Sequence, residues 1–97
     1  MTTSAPLQTD LAAPEKPNYP LVTALTAIRK SKQITQAELA QRAGLARMTI
    51  QRLESNGLDP RLSTLQEMAA VLEQELVIIP AHLHDAFAHW LAEQQQR

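Results

Sequence analysis

Ile34-Thr35-Gln36-Ala37-Glu38-Leu39-Ala40, followed by Ala43-Gly44-Leu45, is the stretch whose reading decides the fold. Thr35 and Glu38 stand three apart and form a capping box: the Thr35 hydroxyl accepts from the Glu38 N–H, while the Glu38 side chain reaches back. A short helix opens there with Leu39, Ala40 and Ala43 facing inward. Gly44 ends it, because a helix stop needs a left-handed residue and glycine adopts that backbone without a Cβ clash. After only Leu45 and Ala46 a further helical run carries Arg47 to about Ser55 and buries Ile50 and Leu53. Asn56-Gly57 stops this run and Pro60 blocks its continuation.

Upstream, Leu21, Leu25 and Ile28 recur at i, i+4 and i+7, one apolar face of a helix reaching about Ser31. Asn18 or Tyr19 caps it, with Pro20 in the first turn, where its missing N–H costs nothing. Residues 1–18 mix Thr, Ser, Ala and Pro without periodicity and are expected to form a flexible tail. Downstream, Ser63-Thr64-Leu65-Gln66 reads as a second capping box, opening a helix with Leu65, Met68, Ala69 and Leu72 inside. The period then changes. Glu75-Leu76-Val77-Ile78-Ile79 is β-branched, short and closed by Pro80, which reads as a strand. No second strand candidate exists, so its natural partner is the same strand of another copy across a two-fold axis. Leu83, Phe87, Trp90 and Leu91 then fall at i, i+4, i+7 and i+8 of a terminal amphipathic helix, the other half of that contact.

The 97 residues suffice for one domain. Apolar residues make up 44% of the chain but aromatics only 3%, so the core must be aliphatic, as in a compact helical domain. Absence of cysteine removes a disulfide framework, thiolate metal sites and a cysteine nucleophile. The start lacks the basic end and apolar run of a signal peptide, and no apolar run approaches the ~20 residues needed to cross a bilayer. A soluble, cytoplasmic protein that does not engage membranes is expected. Net charge is −1, yet Arg29 to Arg61 holds seven bases against three acids, while the remainder holds two against seven. A basic centre between acidic flanks can turn one face to a polyanion and keep the other repelled.

Two short helices joined by a tight, glycine-containing turn have the geometry of a helix-turn-helix, whose second helix enters the DNA major groove. Residues 21–72 resemble the Xre/Cro family, which includes the lambda-type phage repressors. The matching stretches are Ile34 to Ala40, Ala43-Gly44-Leu45, Thr49-Ile50-Gln51-Arg52-Leu53-Glu54 and Ser63-Thr64-Leu65. The resemblance implies a role at each matched position. Gln36 corresponds to the residue that clamps a DNA phosphate at a helix N-terminus. Arg47 and Met48 fall on base-reading positions and Arg52 on a third, one turn further along. Arginine is the usual bidentate reader of guanine, and Met48 offers apolar contact to a thymine methyl. Thr49 and Gln51 touch phosphates or pack. By its spacing to Gln36, Arg29 matches a family arginine that pairs in the interior with the glutamate at Glu54. Lys30 and Lys32 form either a phosphate-contacting edge or a solvated helix end. Two positions depart from the pattern. Ala46 replaces the usual Ser or Thr cap of the recognition helix, and the Ser55–Leu62 loop is one residue longer and carries Asp59.

His82, His84 and His89 do not converge on one helix face, so they read as surface or interface histidines and no metal or cofactor is expected. With no nucleophile elbow, phosphate-cradling glycine loop or HExxH motif, the chain reads as a non-enzyme. The expected architecture is all-α: a lambda-repressor-like four-helix domain over 19–74, then a dimerising β-strand and C-terminal helix over 75–97. Leu76, Val77, Ile78, Ile79, Phe87 and Trp90 carry the homodimer. The resemblance implies repression of an inverted-repeat operator in double-stranded DNA. A helix-turn-helix followed by a dimerising strand also resembles HipB-like antitoxins, which repress their own operon and bind a HipA-like kinase toxin. The rivals are a stand-alone repressor without a protein partner, and an interaction module whose helix-turn-helix no longer binds DNA.

Overall fold

The computed structural model describes Tyr19 to Gln96; the tail expected over residues 1–18 lies outside the described residues. Five α-helices follow one another: α1 (Pro20–Ser31), α2 (Gln36–Ala43), α3 (Arg47–Glu54), α4 (Leu62–Val71) and α5 (His84–Gln95), with a 3₁₀ turn, Ala81–Leu83, leading into α5. The described residues are thus all-helical. Helices α1 to α4 form one body in which α2 packs on α3 and α4, and α1 lies against α3 and α4. Its core is aliphatic: Val22, Leu25, Leu39, Ala40, Ile50, Leu53, Leu65, Met68, Ala69 and Leu72 are all buried.

Local chemistry explains most boundaries. Pro20 opens α1 after Tyr19, which takes the cap position without a side-chain bond. At α2 the Thr35 hydroxyl accepts from the Glu38 N–H at 3.0 Å, and Glu38 Oε1 accepts from the Thr35 N–H at 3.0 Å. That box also draws the Glu38 carboxyl below its ordinary value, chiefly through the bond from the Thr35 backbone N–H. Gly44 sits at φ 71°, and the Leu45 N–H behind it donates to Ala40 O at 2.8 Å. The same stop closes the other three helices of the body on residues that are not glycine. Gln33, Asn56 and Glu73 have φ of 60°, 61° and 62°. The N–H of each following residue reaches back five positions, Ile34 to Arg29 O, Gly57 to Arg52 O and Gln74 to Ala69 O. These are Schellman closures, which satisfy carbonyls a helix end otherwise leaves bare.

Three expectations are corrected. Leu21 does not face the core: it is 49% exposed, and the buried stripe of α1 is Val22, Leu25 and Arg29. A stripe whose third member is an arginine is invisible to a search for apolar periodicity. Helix α4 begins at Leu62 with Arg61 at the cap, two residues earlier than a Ser63 cap allows, so Ser63 lies inside the first turn and caps nothing. The dimerising strand expected at Glu75–Ile79 is absent: residues 74–80 carry no regular structure, and no strand occurs among the described residues. A strand exists only as part of a ladder, and the body offers this segment no second strand to pair with. Leu76 instead packs onto the edge of the core, while Val77 and Ile78 point outward at 64% and 99% exposure.

Candidate nucleic-acid interface

Three helices meet at a buried acid. Glu54, the last residue of α3, has a side chain only 7% exposed, and that of Arg29 on α1 is 10% exposed. Arg29 Nε donates to Glu54 Oε2 at 2.7 Å and Nη2 to Oε1 at 2.8 Å. This is the bidentate fork for which guanidinium geometry is suited. The third guanidinium nitrogen, Nη1, donates to the carbonyl of Ile34 at 2.8 Å and so holds the turn before α2. Gln36, the first residue of α2, completes the cluster: its Nε2 donates to Glu54 Oε1 at 2.9 Å. Burial pushes the Glu54 carboxyl up, but the bonds from Arg29 and Gln36, with the charges of Arg29 and Lys30, outweigh it and hold the acid below its ordinary value.

Helix α3 presents the opposite surface to solvent. Ile50 and Leu53 are buried, while Arg47, Met48, Gln51 and Arg52 are exposed and Thr49 is half-buried. Met48 is 56% exposed and sets one apolar side chain on that face. Ala46 occupies the cap of α3 in extended backbone and makes no side-chain bond there. The first N–H groups of α3 therefore have no side-chain acceptor, and the positive end of the helix dipole is uncompensated beside Arg47. No carboxylate in the described residues pairs with Arg47 or Arg52. Such a surface, cationic and hydrogen-bond-donating with one apolar side chain, suits a phosphate-lined groove with base edges at its floor.

The two lysines left open on sequence grounds separate. Lys32 Nζ lies 3.2 Å from Glu73 Oε1 and ties the end of α1 to the end of α4, whereas Lys30 lines a surface cleft together with Glu54. A second surface lies beyond α4. Val77, Ile78, Leu83, Phe87, Trp90 and Leu91 are all exposed large apolar residues. Phe87 and Trp90 stack with ring centroids 6.0 Å apart. Among the described residues α5 makes its main packing contact with the 3₁₀ turn before it and buries none of its own residues. Among the described residues no helix is long and apolar enough to cross a membrane, and no group of three or more His, Asp or Glu side chains gathers as metal ligands would.

Apolar and charge spacing missed the Gln36–Glu54 bond, because nothing in the spacing of a glutamine and a distant glutamate announces a meeting across two helices. It also missed the left-handed seats of Gln33 and Glu73, for which no glycine serves as a flag.

A helix-turn-helix family model matches residues 25–79, more than half of the chain. Proteins named antitoxin HigA1, from two strains of Mycobacterium tuberculosis, are 42% identical over 59 residues, covering 61% of this chain and 40% of the relative. A Sinorhizobium fredii protein named as the uncharacterized HTH-type transcriptional regulator y4dL is 33% identical over 67 residues, 69% of this chain and 34% of its own. The immunity repressor protein of Bacillus phage phi105 is 40% identical over 48 residues, 50% of this chain and 33% of its own. The chain spans no more than 40% of the length of these relatives.

Proposed function

Because the chain belongs to the helix-turn-helix family, we propose that it is a sequence-specific DNA-binding transcriptional regulator, a repressor that grips an inverted-repeat operator as a homodimer. The observation that carries this reading is the exposed face of α3, where Arg47, Met48, Gln51 and Arg52 stand on a helix whose other side is core. Arg47 and Arg52 read guanine edges and Met48 meets a thymine methyl, each good arginine contact giving about 1–3 kcal/mol of discrimination. Gln36 and Thr49 hold phosphates and set the register. The apolar surface of Leu76, Val77, Ile78, Ile79, Phe87 and Trp90 joins two copies, placing two recognition helices about 34 Å apart, one turn of DNA. Repression follows from occupancy, in the cytoplasm where the operator is reached.

We extend the proposal to an antitoxin that represses its own operon and binds a toxin protein. Its support is the name of the two Mycobacterium relatives. Those relatives are named HigA1 and not HipB, so their names favour a toxin without specifying the HipA-like kinase expected from the sequence. The phage relative, an immunity repressor protein, favours the stand-alone repressor as the second reading.

The deciding measurement is binding to the DNA upstream of its own gene at two salt concentrations, for the wild type and Arg47→Ala. Specific binding that weakens with salt and is lost on Arg47→Ala is expected. No preference over random duplex would replace the repressor with an interaction module. Co-purification of a toxin encoded next door would separate the antitoxin from the solitary repressor.

A further inference from the structure

We infer that Glu54 is a positioning residue for DNA binding: through its bond to Gln36 it sets which end of the Gln36 amide faces a phosphate. The inference rests on the proposed role of Gln36 as a phosphate ligand and deepens it. An amide side chain has two ends of opposite character, an NH₂ that donates and a carbonyl oxygen that accepts. A phosphate oxygen attracts the first and repels the second. On an exposed glutamine the two orientations interchange freely, so half of its population would present the wrong end.

Here the choice is made by chemistry. An ionised carboxylate can only accept, so Gln36 must turn its nitrogen toward Glu54, as the 2.9 Å contact has it. One N–H is consumed, and the second on the same nitrogen remains to donate to a phosphate oxygen. Glu54 can serve this way next to a polyanion because Arg29 cancels its charge through two hydrogen bonds. Arg29 also grips the Ile34 carbonyl, two residues before Gln36, so one guanidinium fixes both the acid and the turn from which α2 starts. Arg29 thereby sets the acid, and the acid sets the amide, before any DNA arrives. That is preorganisation, which removes an ordering cost from the binding step.

A purely structural Glu54 would predict something different, and the full-length chain can distinguish the two. The probe is a duplex selected from a random-sequence pool by the wild-type protein. Gln36→Ala, Glu54→Gln and the double variant are compared at a temperature where each is folded by circular dichroism. A glutamine at 54 can accept or donate, so it no longer dictates the amide's orientation. Gln36→Ala is expected to weaken binding roughly tenfold, the effect of losing one hydrogen bond to a charged group. Glu54→Gln should weaken it about twofold, the cost of leaving the amide free to turn either end to the phosphate, and the double variant should be no weaker than Gln36→Ala alone. Multiplying losses in the double variant would overturn the inference.

A second readout needs neither DNA nor a folded variant. In nuclear magnetic resonance spectra of the free wild-type protein, the Gln36 side-chain NH₂ protons should be widely separated, and should shift along the titration curve of the Glu54 carboxyl. Signals at the positions of an exposed glutamine, indifferent to that titration, would overturn it. Normal affinity of Gln36→Ala together with the expected NH₂ signature would overturn only the phosphate role of Gln36, leaving the Glu54–Gln36 link standing without a part in DNA binding.

Discussion

Arg29 and Glu54 lie 25 residues apart in the chain and meet through two hydrogen bonds of nearly equal length, 2.7 and 2.8 Å, with both side chains almost wholly out of water. The pair joins the first helix to the end of the third, and Gln36 adds the second helix to the same acid. One carboxylate thus receives a donor from each of the other two helices that frame the exposed face of α3.

Removing the acid should be costly. Glu54→Ala leaves the Arg29 guanidinium buried without its counter-charge, and losing one partner of a buried pair typically costs about 3–5 kcal/mol. Glu38→Ala removes a solvated carboxylate from the capping box and should lower stability far less. Thermal melts of the two variants side by side provide the check; equal drops would refute a structural role for the pair.

Acid should weaken the fold through the same group. The folded-state value of Glu54 lies below its ordinary 4.5. Its contribution is therefore complete above 4.5 and is lost as pH falls through the depressed folded value. Melts run from neutral pH downward should show the wild type losing stability in that range. The gap between it and Glu54→Gln should narrow there, since glutamine does not titrate. A constant gap would remove Glu54 from the acid response.

The left-handed helix stops predict substitutions of opposite sign. Gln33 takes φ 60° with a side chain that makes no hydrogen bond among the described residues, so Gln33→Gly should raise stability by about 0.5–1 kcal/mol, the backbone relief exceeding glycine's extra chain entropy. Gly44→Ala should lower it by about 1 kcal/mol. An added Cβ at Gly44 meets nothing within 4 Å, so that loss comes from backbone strain alone. Urea unfolding measures both; a destabilised Gln33→Gly would refute the argument.

Ala46→Ser should supply the missing cap of α3. A serine hydroxyl there can accept from an N–H of the first turn, a gain of about 1 kcal/mol. The backbone at Ala46 is already extended, φ −74° and ψ 143°, as capping requires, so nothing must rearrange. An unchanged melting temperature would show that the first turn of α3 is satisfied by water as it stands.

Much of the helical body was legible because its signals are local. The box of Thr35 and Glu38, the glycine at 44 and the inward residues Leu39, Ile50, Leu53 and Met68 each depend on neighbours within a turn or two. The failures share another origin. Glu75–Ile79 has strand-forming residues, but a strand also needs a distant partner, which propensity does not supply. Leu21 outranks Arg29 on any hydropathy scale, yet the arginine is buried because an acid waits for it on α3. Likewise the opening of α4 was misread at Ser63, since a Ser followed three residues later by Gln mimics a box even inside a helix already begun at Leu62. At the candidate site the spacing pointed to exposed residues of α3, while the tie from Gln36 to Glu54 depends on two rotamers that only the packed helices bring together.

Helix α5 sets a different timescale from the body it follows. Isolated helices of its length, 12 residues, are marginal in water, and α5 has no buried side chain to make up the deficit. Its amides in a dilute single chain should therefore trade hydrogen for deuterium almost as fast as a free peptide's, while those of Leu39, Ile50 and Met68 wait for global opening. A protease would find the same difference, with the last turns cut long before the body yields. In the proposed dimer the segment's lifetime would follow its cover, and its survival in a cell would gauge how much of the protein has paired.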